Sequence, residues 1–95
     1  MVYRLTAKAE VDIIAIAEVG LFRWGRALAE EYIDGLYALF DRIARSPRMA
    51  RERNELTPPV RIKRYRAHLV LYLIEGDDIL ILRLRHGRED WQSDL

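Results

Sequence analysis

The stretch LVLYLIEGDDILILRL, residues 69–84, decides how the rest of the chain must be arranged. Leu69 to Glu75 is apolar on both faces of a strand-length run. Such a run marks a strand covered on two sides and therefore central in its sheet. Glu75–Gly76–Asp77–Asp78 supplies turn residues, and Ile79 to Leu84 returns, apolar on both faces until Arg83. The pair is an antiparallel hairpin. Just upstream, Val60 and Ile62 alternate with Arg61 and Lys63 at period two, which adds a third strand and makes a meander.

A sheet of this kind needs a second layer, and the N-terminal half provides it. Ala29, Tyr32, Ile33, Leu36, Leu39, Phe40 and Ile43 fall at three- and four-residue steps, with Glu30, Glu31, Asp34, Asp41 and Arg42 on the other face. Arg42 and Arg45 lie late, as the helix dipole favours. Ser46–Pro47 ends this helix, because the residue before proline disfavours it. An earlier helix is expected from Ala7 to Arg23. Thr6 caps it, Ile13, Ile14, Ile16, Ala17, Leu21 and Phe22 form its apolar stripe, and Glu10, Asp12 and Glu18 face solvent. Trp24–Gly25 is the turn between two antiparallel helices. Val2 to Leu5 reads as a short strand, and SPRMARERNELTPP (46–59) as a polar loop. The expected fold is α+β, ordered β-α-α-β-β-β, in one domain over residues 1–95, with a short C-terminal tail. One sheet face lies under the helices, and the other is open.

Composition removes several function classes. No cysteine excludes disulfides and thiolate metal sites. The longest strongly apolar run, Leu69 to Ile74, is too short to cross a membrane, and the start MVYRLTAKAEVD lacks signal-peptide character. A cytoplasmic location is expected. The five glycines are scattered, so there is no phosphate-binding loop, and no serine sits in a nucleophile-elbow setting. His68 stands beside Arg66 with no second histidine near it in sequence, so neither metal nor cofactor is expected.

The net charge of +1 conceals an asymmetry. Nine basic residues (Arg42, Arg45, Arg48, Arg51, Arg53, Arg61, Lys63, Arg64 and Arg66) and two acids (Glu52, Glu55) give Arg42 to Arg66 a balance of +7. An acidic partner would suit such a segment, and so would a plain solvated face. Arg61 and Lys63 share one face of their strand, and Arg83 and Arg85 share one face of theirs. If all four point to the open side, they form a basic platform. The stretch LRLRHGREDWQ (82–92) extends it with His86, Arg88 and Trp91. In a nuclease, His86 or Glu89 would move protons while arginines hold phosphate. In a docking protein, the same residues are a polar edge with a satisfied histidine. Trp91 would stack on a base, anchor in a partner's pocket, or latch the tail onto the core.

Four blocks carry a resemblance: YRLTAKAEVDI at 3–13, FRWG at 22–25, SPRMARERNEL at 46–56 and RAHLVLYLIEGDDILILRLRHGREDW at 66–91. In this order and spacing the chain resembles a ParE-type toxin of the RelE/ParE superfamily of bacterial toxin–antitoxin modules. The resemblance implies a helical hairpin on an antiparallel sheet. It also implies a ParD-like antitoxin whose C-terminal segment wraps the toxin, in a heterotetramer or larger complex, and DNA gyrase as target. On that reading the chain is not an enzyme and does not bind nucleic acid directly. Its contact surface is Arg61, Lys63, Arg83, Arg85, Arg88 and Trp91. The alternative is the superfamily's RelE-like branch, which cuts messenger RNA on the ribosome. It would use Arg61, Lys63, Arg83 and Arg88 on the phosphate, with His86 as acid or base. That branch carries a motif similar to Tyr-Arg-Leu-Val-Tyr on its central strand. Aligned on Tyr72, the motif's arginine falls on Leu69, and the tail aromatic is Trp91 where a tyrosine is usual.

Overall fold

The computed structural model describes residues 1–88. The chain begins with β1 (Tyr3–Leu5), then α1 (Ala7–Trp24) and α2 (Arg26–Arg45). A 3-10 turn (Pro47–Met49) and a two-residue strand β2 (Glu52–Arg53) lead to β3 (Val60–Tyr65), β4 (His68–Glu75) and β5 (Asp78–His86). The five strands form one sheet in the order β1-β5-β4-β3-β2, so β4 is the central strand expected of its two-sided apolar run. β2 to β5 are antiparallel neighbours, and β1 joins β5 in parallel.

Local chemistry sets the boundaries. The Thr6 hydroxyl accepts the Ala9 N–H at 3.0 Å and starts α1. Gly25 alone separates the helices and takes φ +84°, a conformation suited to glycine. Glu75 pairs with Asp78 across a two-residue turn in which Gly76 has φ +62°. The core gathers Ile13, Leu36, Leu39, Phe40 and Ile43 from the helices against Val70, Tyr72, Ile79, Ile81 and Leu84 from the sheet.

A β-bulge sits between Leu71 and Tyr72, which pair with Arg83 and Ile81 and leave Leu82 as the extra residue. Its physical reason lies in the side-chain order. With unbroken alternation, Ile79, Ile81, Arg83 and Arg85 would share the core face. One extra residue resets the parity. Leu84 then joins Ile79 and Ile81 in the core, and Arg83 and Arg85 turn out of it.

Three expectations are corrected. Residues 46–59 are not a plain loop, since they contain the 3-10 turn and β2. Nor is the second sheet face fully open: Leu56 from this segment packs with Ile62 on Leu69 and Leu71, and Leu71 is fully buried. Two large leucines on that face are enough apolar surface to draw the segment over them. In α1, only Ala9, Ile13 and Gly20 are buried, so Ile14, Leu21 and Phe22 do not face the core and Asp12 does not face solvent.

Candidate functional site

The register divides the expected basic platform. Arg83 lies opposite Leu71 and Arg85 opposite Leu69; Arg85 is on the face away from the helices, whereas the Arg83 guanidinium reaches Asp12 of α1. Arg61 lies opposite Tyr72 and Lys63 opposite Val70, which are core residues on the helix face. The cation that completes the row Arg64–Leu69–Arg85 is therefore Arg64. Counting parity back through the Tyr65–His68 turn would have found it in the sequence.

The individual cations have different duties. Arg61 donates to the Ala50 carbonyl at 2.6 Å, beside Tyr72, whose hydroxyl donates to the Pro47 carbonyl at 2.7 Å. Both bonds tie the segment after α2 to the sheet. Arg83 donates Nε and Nη2 to Asp12 of α1 at 2.8 and 3.1 Å, a two-pronged ion pair that takes it out of the solvent-facing set. Arg88 is exposed. Lys63, Arg64 and Arg66 have no carboxylate partner among the described residues. Glu89 and Trp91 lie outside the described residues.

The two histidines, distant in sequence, meet in space. His68 and His86 are register partners with rings edge-on at 5.4 Å, which corrects the reading of His68 as isolated. The Tyr32 hydroxyl lies 2.7 Å from His68 Nδ1, and burial pushes the Tyr32 phenol up. His86 Nδ1 accepts the Arg88 N–H at 3.1 Å. Above them Arg66, a non-glycine residue at φ +52°, holds its guanidinium over the rings of Tyr32 and Tyr65 at 5.4 and 5.7 Å. These groups line one end of a cleft of about 440 Å³, walled by Ile16, Val19, Trp24 and Leu84. His86 thus sits on the helix side, in the cleft that Asp12 also lines, whereas Arg85 belongs to the other face. The described residues hold no cluster of three metal-ligating side chains.

One surface feature escapes the sequence reading. The outer face of α1 carries large apolar side chains around the exposed Glu18: Phe22 is 91% exposed, Val11 64%, Ile14 59% and Leu21 55%. A groove of about 380 Å³ between the helices, lined by Ala17, Leu21, Ala29 and Ile33 together with Arg26, Glu30 and Asp34, adjoins it. Contiguous exposed apolar area marks an interaction surface. The doubled pairs Ile13–Ile14 and Leu21–Phe22 are the available signal. They make the stripe too wide for one neighbour.

Comparison with known proteins yields consistent matches. The family described as "ParE toxin of type II toxin-antitoxin system, parDE" matches residues 3–91. Toxin ParE1 of Mycobacterium tuberculosis is 30% identical over 94 residues, covering 98% of this chain and 96% of that protein. Toxin ParE3 of Caulobacter vibrioides is 31% identical over 71 residues, 75% of this chain and 71% of that one. Among solved structures, a chain of the chromosomal ParDE TA system from P. aeruginosa superposes with a TM-score of 0.76 at 21% identity. It covers 90% of this chain and 95% of its own length, and the likeness is one of fold.

Proposed function

The chain belongs to the ParE toxin family of type II toxin–antitoxin systems, and on that premise we propose that it arrests growth by binding DNA gyrase through protein contacts, without catalysis, and that a ParD-like antitoxin neutralises it in the cytoplasm. The observation that carries the docking reading is the unpartnered apolar face of α1, with Val11, Ile14, Leu21 and Phe22 in one exposed stripe. An amphipathic helix laid along it would bury the stripe. The basic sheet residues support a second, acidic contact, drawn from Arg64 and Arg85, which flank Leu69 on one face of the sheet. No helix of the described residues is long and apolar enough to cross a membrane.

A ribosome-dependent nuclease is the weaker reading. Its histidine and its phosphate-binding arginines need to converge on one site. Arg83 is engaged by Asp12, and Leu69 occupies the position where the motif's arginine would stand.

The deciding experiment adds the purified protein to a gyrase supercoiling and cleavage assay. The expected result is lost supercoiling and accumulated linear DNA, both prevented by prior addition of the antitoxin. Undisturbed gyrase together with a prompt stop of translation in expressing cells would overturn the reading in favour of the nuclease.

A further inference from the structure

The cleft between α1 and the Arg66–Ala67 turn takes no part in the docking reading, yet it is built like a small-molecule site. Its volume of about 440 Å³ lies at the small end of the range of such sites, roughly 300–1,000 Å³. Ala15, Ile16 and Val19 of α1, Trp24 and Leu84 of β5 give it apolar walls. Val19 and Trp24 remain 49% and 46% exposed. The Trp24 ring is nevertheless fixed. It packs on Tyr32 at 5.5 Å, and it lies so close over Gly20 that a Cβ there would come within 3.2 Å of it. A flat apolar ring held in place and open to a cleft is a platform for a flat ligand.

Two cations set the charge of that ligand. Arg23 and Arg66 both line the cleft, and neither forms an ion pair among the described residues. Arg66 is held by its own setting. Its backbone takes φ +52°, its carbonyl accepts from Arg64 at 3.1 Å, and its guanidinium lies over Tyr32 and Tyr65. Backbone conformations of this kind in residues other than glycine gather at ligand sites. Stacking uses the face of the guanidinium and leaves its edge N–H groups to meet an anion. Asp12 is the one acid among the described lining residues, and its carboxylate is already bound by Arg83 and the Leu84 N–H. It therefore repels an incoming anion little.

We propose that this cleft binds a small aromatic carboxylate of one or two rings, with its rings against Trp24, Ile16 and Val19 and its carboxylate on Arg23 and Arg66. The planar forks of arginine match a carboxylate in two-pronged contact. The bound acid bridges the end of α1 to the turn between β3 and β4, and it stabilises the folded chain by mass action. A phosphate monoester on the same rings shares the chemistry of an anionic head, and the test separates the two.

The test titrates the isotope-labelled full chain with 2-naphthoate, 2-naphthamide, 2-naphthyl phosphate and acetate, followed by heteronuclear NMR. 2-Naphthoate should shift the Trp24 indole and the Arg23 and Arg66 resonances saturably, with a dissociation constant of about 1 mM or tighter. The neutral amide and the ringless acetate should each bind at least about tenfold more weakly. Arg66→Gln should lose about tenfold for 2-naphthoate and keep its affinity for 2-naphthamide. Ala15→Phe, at an exposed position on the cleft wall, should block both probes. Circular dichroism and thermal melting report whether the variants fold, and the comparison of probes on the parent chain needs no variant. Absence of saturable shifts with 2-naphthoate, equal affinity for acid and amide, or parental affinity in a folded Arg66→Gln chain would overturn the site. Tighter binding of 2-naphthyl phosphate would overturn the choice of a carboxylate.

Discussion

Asp12 of α1 accepts three hydrogen bonds from β5: Arg83 Nε at 2.8 Å, Arg83 Nη2 at 3.1 Å and the Leu84 N–H at 3.0 Å. The carboxylate thereby serves the strand backbone past the end of β1, which pairs only with Ile79 to Ile81. It also holds the arginine that the bulge has turned away from the core. The two side chains are only 15% and 23% exposed, so solvent screens the pair weakly. Asp12→Ala should cost about 2–3 kcal/mol in urea unfolding. Arg83→Ala should cost a similar amount, and the double variant less than the sum. Full additivity would show that the two do not act as a unit. Loss of toxicity on altering Arg83 would then trace to the fold and not to a lost contact.

Tyr72 predicts an alkaline limit to stability. Its hydroxyl is buried on the Pro47 carbonyl, and burial holds the phenol above its ordinary value of 10.0. A folded-state value above the unfolded one means that the folded protein binds the proton more tightly. The contribution is whole below pH 10 and is lost as the pH climbs from there through the folded value. Melting temperature should fall above about pH 10. In Tyr72→Phe that fall should be shallower, from a neutral-pH stability lower by about 1 kcal/mol. Parallel curves for the two proteins would remove Tyr72 from the account.

Gly35 is required by its neighbour. A Cβ there would collide with the Tyr65 hydroxyl, which donates to the Tyr32 carbonyl at 2.8 Å. Alanine normally gains about 1 kcal/mol over glycine inside a helix. Here Gly35→Ala should instead lower the melting temperature, and the penalty should shrink in a Tyr65→Phe background. A stabilised Gly35→Ala protein would contradict the packing.

Phe22 separates docking from folding. At 91% exposure it contributes little to the core, so Phe22→Glu should melt within about 0.5 kcal/mol of the parent. Antitoxin affinity should drop by more than tenfold, measured by calorimetry. Unchanged affinity would exclude the outer face of α1 from the interface.

What the sequence discloses depends on whether the signal is local. Helix α2 is legible because one face packs and the other is polar, and Glu75–Asp78 because turn chemistry is confined to four residues. Helix α1 is legible in its extent but not in its orientation. An apolar residue waiting for a partner looks the same as one facing the core. The split of Arg61 and Lys63 from Arg83 and Arg85 depends on pairing register, and the pairing of His68 with His86 on the hairpin between them. Asp12 reads as a solvent residue because its partner lies at the far end of the chain.

The parallel pairing of β1 with β5 has a consequence for biosynthesis. The strand made first cannot find its neighbour until the strand made last among those described has left the ribosome. Until then the nascent chain carries a helical hairpin with two unsatisfied apolar sides, one for its own sheet and one for a partner. Such contacts between distant parts of a chain form slowly, and exposed apolar surface invites aggregation meanwhile. An antitoxin already present during translation would meet the hairpin before the sheet is complete. Assembly order, as well as affinity, would then decide how much active protein ever accumulates.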